Sequence, residues 1–371
     1  MVPEIKKNRK YRLLINGCKI TALISALILS VALVSCAGPA GGKLVREAKK
    51  AIERVDPVMG DWQGIWKLDD ESDSGPLVAQ VIALGAGKYR ANFLEEFDTR
   101  IPPVSVLESQ LQDEAVRFTG AGEYDGTELQ VQAIIKDGKF TGSFQGQDFA
   151  GSFAMEKVVR LSPTLGAKPP AKAVVLFDGK NFDGWKRTGK KAGADSVQWK
   201  LTGGAMEVKP GSGSIITRKE FADVKLHLEF RTPFMPKARG QKRGNSGVYL
   251  QERYEVQVLD SYGLEGRDNE CGGIYKVAPP LVNMCAPPTQ WQTYDITYRV
   301  PRFDNTGKKK QDAYMTVIHN GVKIHNNVKV SKATTAAPGG DVGGIYLQDH
   351  GNRVQYRNIW LVELPAKPVS D

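Results

Sequence analysis

Tyr254-Glu255-Val256-Gln257-Val258-Leu259-Asp260 is the stretch that decides the fold of the second half of this chain. Successive residues of a strand point to opposite sides. Tyr254, Val256 and Val258 therefore line one face, and Glu255 and Gln257 the other. Three further runs repeat the pattern. Leu226, Leu228 and Phe230 oppose His227, Glu229 and Arg231. Val248 and Leu250 oppose Gly247, Tyr249 and Gln251. Ile345 and Leu347 oppose Tyr346, Gln348 and His350. Turn signals such as Asn320-Gly321 separate the runs, and no strand–helix–strand alternation intervenes. The pattern predicts a two-sheet antiparallel β-sandwich over residues 173–364.

Upstream, residues 60–160 predict a smaller unit. Leu129, Val131 and Ala133 alternate with Gln130 and Gln132, and Asp137-Gly138 marks a hairpin. About 100 residues of short strands read as a small antiparallel β-barrel or sandwich, an accessory domain whose own function is not legible. Residues 161–172, rich in Pro, Gly and Lys, read as a linker. The fold class is thus all-β, with a sandwich preceded by a small barrel or sandwich. Thirty-nine glycines and twenty prolines suit that many tight turns.

Residues 1–35 read as a lipoprotein signal peptide. A basic start precedes the apolar run at 20–34, which is short for a membrane span of about 20 residues. The run ends in Leu33-Val34-Ser35-Cys36, similar to a bacterial lipobox, so Cys36 is the expected lipidation site. The expected localisation is an exported, membrane-anchored lipoprotein on the periplasmic side or the cell surface. Ala37 after the cysteine suggests the outer membrane. Residues 36–59 then form a tether with a short helix over 44–55. The leader carries six basic residues against Glu4, about half of the +10 net charge of the 371-residue chain. The remainder is dispersed without an aromatic-interleaved basic stripe, which argues against a nucleic-acid partner. Cys271 and Cys285 flank a Gly- and Pro-rich loop, and export makes a disulfide the expected state. Closing that loop would stabilise by about 3 kcal/mol in the chain-entropy model, with two free thiols as the alternative.

The polar faces carry Tyr, Gln, Glu, His and Arg rather than the Lys, Thr and Ser of an ordinary solvated sheet. Aromatic rings and bidentate polar groups suit sugar recognition. Ordered motifs extend the point. They begin with Leu176-Phe177-Asp178-Gly179-Lys180-Asn181-Phe182-Asp183-Gly184-Trp185. They continue through Gly244-Asn245-Ser246-Gly247-Val248-Tyr249 and Tyr254–Asp260. Trp291-Gln292-Thr293-Tyr294-Asp295 follows, then Asp349-His350-Gly351-Asn352 and Tyr356-Arg357-Asn358-Ile359-Trp360. The ordered set resembles the 3-keto-disaccharide hydrolase family over about 174–364 and does not reach residues 60–160. The resemblance implies a concanavalin-like jelly roll. It also implies cleavage of glycosides already oxidised to a ketone at C3, with a separate sugar-oxidising enzyme upstream.

A ketone at C3 acidifies the C2 proton, so a base can start elimination of the C1 oxygen, and water addition completes a net hydrolysis. The expected catalytic residues are His350 and Glu255, one as base and the other assisting the leaving group. Gln257, Asn245, Arg231 and Gln348 are expected to bind substrate, with Tyr249 and Tyr346 stacking on the sugar. Structural alternatives stay open: His350 could cap a turn, and Glu255 could pair with Arg231 or Arg357. Asp260 could hold a turn, and Glu229 and Arg231 could form one ion pair. The route also needs a hydrogen-bond donor or a metal at the enolate oxygen, so a cofactor stays open. The oxygen-rich loop with Asp260, Glu265, Asp268, Asn269 and Glu270 could hold a divalent cation such as Ca²⁺, although its spacing is not that of an EF-hand. The competing functions are a non-catalytic carbohydrate-binding module and a surface scaffold.

Overall fold

A computed structural model describes residues 54–188, 195–337 and 339–366. The leader, Cys36 and most of the helix expected over 44–55 lie outside the described residues. Eight strands come first: β1 (Gly60–Leu68), β2 (Ser74–Gly85), β3 (Lys88–Leu94), β4 (Ser105–Gln112), β5 (Ala115–Tyr124), β6 (Thr127–Lys136), β7 (Lys139–Gln145) and β8 (Ala150–Val158). Each pairs antiparallel with the next, and β8 returns to β1 to close a barrel. Period-2 alternation fills it: Leu129, Val131, Ala133 and Ile135 of β6 are buried while Gln130 and Gln132 are exposed. Asp137 and Gly138 both take positive φ, the backbone a two-residue hairpin turn needs. Phe140 sits at the hub of the interior, with Trp62, Phe93, Phe118 and Phe153 around it at 5.3–6.0 Å between ring centres. The interior is a packed aromatic core.

Fifteen further strands follow. They are β9 (Val174–Phe177), β10 (Trp185–Arg187), β11 (Lys200–Thr202), β12 (Ala205–Glu207), β13 (Ile215–Thr217), β14 (Val224–Arg231), β15 (Ser246–Leu250) and β16 (Tyr254–Val258). Then come β17 (Gln292–Arg299), β18 (Arg302–Phe303), β19 (Lys309–Gln311), β20 (Ala313–His319), β21 (Val322–Val330), β22 (Tyr346–Leu347) and β23 (Gln355–Glu363). One sheet has the order β10-β13-β22-β15-β16 and the other β11-β12-β23-β14-β17-β20-β21, with β9 on β23. Every pairing is antiparallel, and the inward residues of the two sheets meet in one core. Leu226, Leu228 and Phe230 from the large sheet face it, as do Val248, Val256, Val258 and Leu347 from the small one. This is the all-β sandwich that the alternation predicts.

The barrel is fused to the sandwich through buried polar and apolar contacts. Ile82 of β2 joins the sandwich core. Tyr262 Oη donates to Asp61 Oδ1 at 2.6 Å, and Arg160 Nε pairs with Asp61 Oδ2 at 2.8 Å. Asn92 donates to the Gly263 carbonyl at 2.8 Å. A Cβ on Gly263, whose φ is +70°, would lie 2.6 Å from Ile82, so the close approach needs glycine.

The segment between barrel and sandwich is held down across the outer face of the large sheet. Gly166 N–H donates to Glu229 Oε1 at 2.6 Å, and Thr164 Oγ1 donates to Asp295 Oδ2 at 2.9 Å. The Ala167 carbonyl accepts from Asn358 at 2.9 Å and from Trp360 at 3.3 Å.

Candidate active site

The outer face of the small sheet carries one straight row of side chains. Lys186 pairs with Ile216, Ile216 with Tyr346, Tyr346 with Tyr249, and Tyr249 with Glu255. Paired residues project to the same side, so all five stand on the face opposite the core. The neighbouring row brings Gly247 beside Gln257, and the Gln348 N–H donates to the Gly247 carbonyl at 3.1 Å. Gly247 leaves a notch between Glu255, Tyr249 and Gln348. A Cβ there would stand 2.4 Å from Glu255 Oε1 and 2.7 Å from Tyr249 Cε2.

Glu255 is only 3% exposed. Burial pushes its carboxyl up from the ordinary 4.5 to about 7, against the opposing pull of a hydrogen bond with Tyr249. Burial also raises the Tyr249 hydroxyl, with the Glu255 charge adding to it. Gln348 Nε2 donates to Tyr249 Oη at 3.0 Å, leaving Gln348 Oε1 buried and without a partner among the described residues. Tyr249 and Tyr346 meet edge to face at 4.9 Å. The Tyr346 hydroxyl is raised by burial and hydrogen-bonds with Ser214. A carboxyl that changes charge near neutrality, set among tyrosine hydroxyls and an open amide oxygen, can take or give a proton at a bound sugar.

The expected residues divide. Glu255, Tyr249, Tyr346 and Gln348 come together. Gln257 and Asn245 are buried beside them, but their amides are spent on the protein. Gln257 Nε2 donates to Asn245 Oδ1 at 2.9 Å and to the carbonyls of Ser246 and Val258 at 3.1 Å. Asn245 Nδ2 donates to the Gln241 carbonyl at 2.8 Å. Both brace the face rather than reach into it. His350 is exposed at the end of the chain run from β22 and makes no hydrogen bond or ion pair with a described residue. The structure therefore shows no direct link between it and Glu255. Arg231 is a correction. Its strand β14 joins the other sheet, where Arg231 Nε donates to Gln355 Oε1 at 2.6 Å and the guanidinium stacks on Trp291. Strand alternation gives the side on which Arg231 projects, but not the sheet to which the strand belongs.

The expected disulfide is a second correction. Cys271 and Cys285 are buried free thiols. Cys271 Sγ lies 3.3 Å from Tyr294 Oη, and Cys285 Sγ donates to the Leu259 carbonyl at 3.4 Å. Three of the four acids of the oxygen-rich loop have protein partners as well. Asp260 accepts from Arg243 Nε at 2.7 Å, Glu265 from Arg267 Nε at 3.1 Å, and Glu270 from the N–H groups of Gly266 and Arg267. Among the described residues, no three His, Cys, Asp or Glu side chains are grouped as metal ligands.

Sequence reasoning gave His227 no role, yet it anchors a buried cluster on the large sheet. His227 Nδ1 lies 2.8 Å from Asp295 Oδ1, and its ring stacks on Trp360 at 4.8 Å. Burial alone would lower His227, but Asp295 and Glu229 outweigh it and raise it. Burial would likewise raise Glu229. His227, Asn358, the charge of Arg357 and the Gly166 N–H outweigh it and hold the carboxyl at about 2. A cavity of about 570 Å³ opens beside this cluster, between Lys168, Phe177, Asp178 and Arg357. The Glu229 carboxylate on its floor is fully engaged by the linker, Arg357 and Asn358, so the cluster serves as a clamp. Tyr275, Glu252 and Lys186 were also missed. The charge of Glu252 is felt at Tyr346, Tyr275 N–H donates to the Glu255 carbonyl at 3.1 Å, and Lys186 ends the cross-sheet row. Lys186 follows the Trp185 that closes the quoted opening motif. The other two sit in turns, where no alternation marks them.

A β-sandwich with a neutral-range carboxyl among tyrosines and amides has the make-up of a carbohydrate-acting protein. Residues 172–362 match the family model of the 3-keto-alpha-glucoside-1,2-lyase-like domain, and the chain belongs to that family. Its class is glycosidase-like. Two similar solved structures are candidate glycosyl hydrolases from Parabacteroides distasonis. One is 35% identical, covering 53% of this chain and 85% of that one, with a TM-score of 0.47. The other is 22% identical, covering 52% and 94%, with a TM-score of 0.40. No curated protein matches the chain.

Proposed function

We propose that this protein cleaves glycosides oxidised at C3, with Glu255 as the base that removes the C2 proton. The observation that supports this reading is the buried Glu255 carboxyl, raised to about 7 on a face of tyrosines. A base of that strength suits a proton made acidic by an adjacent ketone. The electron pair of the C2–H bond becomes the C1–C2 double bond as the C1–O bond breaks. The glycosidic oxygen leaves as an alcohol after taking a proton. Water then adds at C1, the proton returns to C2, and the net change is hydrolysis. The name of the family, a 1,2-lyase of 3-keto-α-glucosides, describes the first half of that sequence. The Tyr346 hydroxyl is suited to donate to the enolate oxygen, and the open Gln348 Oε1 to accept from a sugar hydroxyl. Gln257 and Asn245 hold each other and the Ser246 carbonyl beside Gly247.

The leader supports export and anchoring through Cys36, which a Cys36→Ala variant tests by losing lipid labelling and membrane association. The test of the activity is Glu255→Gln. It should cut turnover of a 3-keto-glucoside at least 100-fold while the protein stays folded. Full turnover in that variant removes the assignment.

A further inference from the structure

The outer face of the large sheet holds two guanidiniums against one ring. Register sets Arg357 opposite Glu229 and Arg231 opposite Gln355. Arg357 lies 4.0 Å from the centre of the Trp291 ring, and Arg231 4.7 Å. Each is aimed by its Nε, which donates at 2.6 Å to Glu229 Oε2 or to Gln355 Oε1. The Nη ends of both have no hydrogen-bond partner among the described residues. The arrangement is short of acid. Glu229 serves Arg357, while Glu207 accepts from Gln355 at 2.7 Å and pairs with Arg353 at 3.6 Å. Arg231 is half-buried and has no ion pair with a described residue. Burial and the charge of Arg357 lower its guanidinium, and Glu207 offsets them only in part. A cation taken out of water without its own counter-charge is costly.

Arg357 also lines the cavity of about 570 Å³ beside the clamp. That volume falls within the range of about 300–1,000 Å³ usual for small-ligand pockets. Lys168 stands on the linker wall of the cavity, where the Gly166 N–H and the Ala167 carbonyl bind the sheet and fix its base. Lys168 has no ion pair with a described residue. Both acids of the lining are taken, Asp178 by Lys180 at 2.7 Å and Glu229 by Arg357 and Asn358. What remains on offer is an ammonium, the Nη edge of an arginine, and the apolar Val175 and Phe177. Gly203 and Gly204 leave the rim bare, since a Cβ on either would meet no atom within 4 Å.

We propose that this cavity is a second carbohydrate site, one that takes a sugar bearing a carboxylate. The planar Nη edge of Arg357 matches a carboxylate end-on through two hydrogen bonds. Lys168 meets the same charge from the linker side, and Val175 gives the C–H face of the ring an apolar wall. Arg231, across Trp291, extends the positive strip along the sheet toward a further acidic unit. The site lies on the sheet opposite the one that carries Glu255, so it holds a glycan without cleaving it.

The test is calorimetric titration of the full chain with methyl α-glucuronide, beside methyl α-glucoside and inorganic sulfate. The glucuronide should bind at one site, about 10-fold tighter than the neutral sugar or the bare anion. Lys168→Gln, on the exposed linker, should weaken it about 10-fold and leave turnover of a 3-keto-glucoside unchanged. Arg357→Lys keeps a charge beside Glu229 and should weaken it about as much, because an ammonium lacks the forked edge. Glu255→Gln should bind the glucuronide as the wild type does. No glucuronide binding overturns the proposal. Equal binding of sulfate would mean an adventitious ion only, and equal binding of the glucoside would mean that charge plays no part; either result overturns it too. So does glucuronide binding that survives both Lys168→Gln and Arg357→Lys, or that Glu255→Gln abolishes.

Discussion

Glu255→Gln should make the protein more stable at the pH where it makes the enzyme inactive. A carboxyl in the unfolded chain ionises near its ordinary value, whereas burial moves Glu255 in the fold from 4.5 to about 7. Each factor of ten in proton affinity is worth 1.36 kcal/mol, so the displacement corresponds to about 3 kcal/mol. The sign follows from proton counts. Between those two values the folded state holds a proton that the unfolded state has lost, so stability falls as pH rises. Below pH 4.5 both states are protonated and the term vanishes. Above 7 both are ionised and the full cost stands. Glutamine has nearly the same shape, its oxygen still accepts from Tyr249, and it carries no charge to desolvate. Urea unfolding of wild type and variant at pH 4 and pH 8 checks this. The two should agree at pH 4 within about 1 kcal/mol, and the variant should be more stable at pH 8 by about 2–3 kcal/mol. A constant difference at both pH values, or a variant less stable at pH 8, would refute the buried-carboxyl argument.

Gly247→Ala places a Cβ 2.4 Å from Glu255 Oε1; it should cost about 1–3 kcal/mol by overpacking and at least 10-fold in turnover, read by thermal unfolding and kinetics. Tyr262→Phe removes the donor to Asp61 at 2.6 Å between barrel and sandwich; a loss of about 2 kcal/mol in denaturant unfolding is expected for the orphaned carboxylate oxygen. His227→Ala breaks the buried pair with Asp295 and should cost about 3 kcal/mol. Because His227 is raised above its unfolded value of 6.5, that contribution is complete below pH 6.5 and fades as pH climbs through the folded value. A difference between wild type and variant that grows with pH would contradict the clamp.

How much of this was legible in the sequence depends on which interaction does the positioning. Tyr254-Glu255-Val256-Gln257-Val258 has one face that only a core can bury, so strand, side and the outward Glu255 followed from period-2 alternation. Tyr249, Tyr346 and Gln348 followed in the same way. Arg231 alternates just as cleanly, yet β14 pairs with β17 and β23. Its side chain stands on the opposite surface of the sandwich, because sheet membership is a long-range choice that no single strand encodes. On β4 both Val106 and Leu111 are exposed although alternation puts them on opposite faces, so the period-2 pattern is blurred there. Glu252 and Tyr275 lie in turns held by tertiary hydrogen bonds. The linker looked free by composition, but buried partners 63 to 193 residues away in sequence fix it.

Proton exchange at C2 tests the central claim most directly. Wild-type protein and a methyl 3-keto-α-glucoside are incubated in D2O, and the released 3-keto sugar is examined by proton NMR. A base at Glu255 that opens and closes the C1–C2 double bond leaves deuterium at C2 in every turnover, and none appears with Glu255→Gln. Sugar released with its original hydrogen still at C2 would mean that the bond is broken by another route.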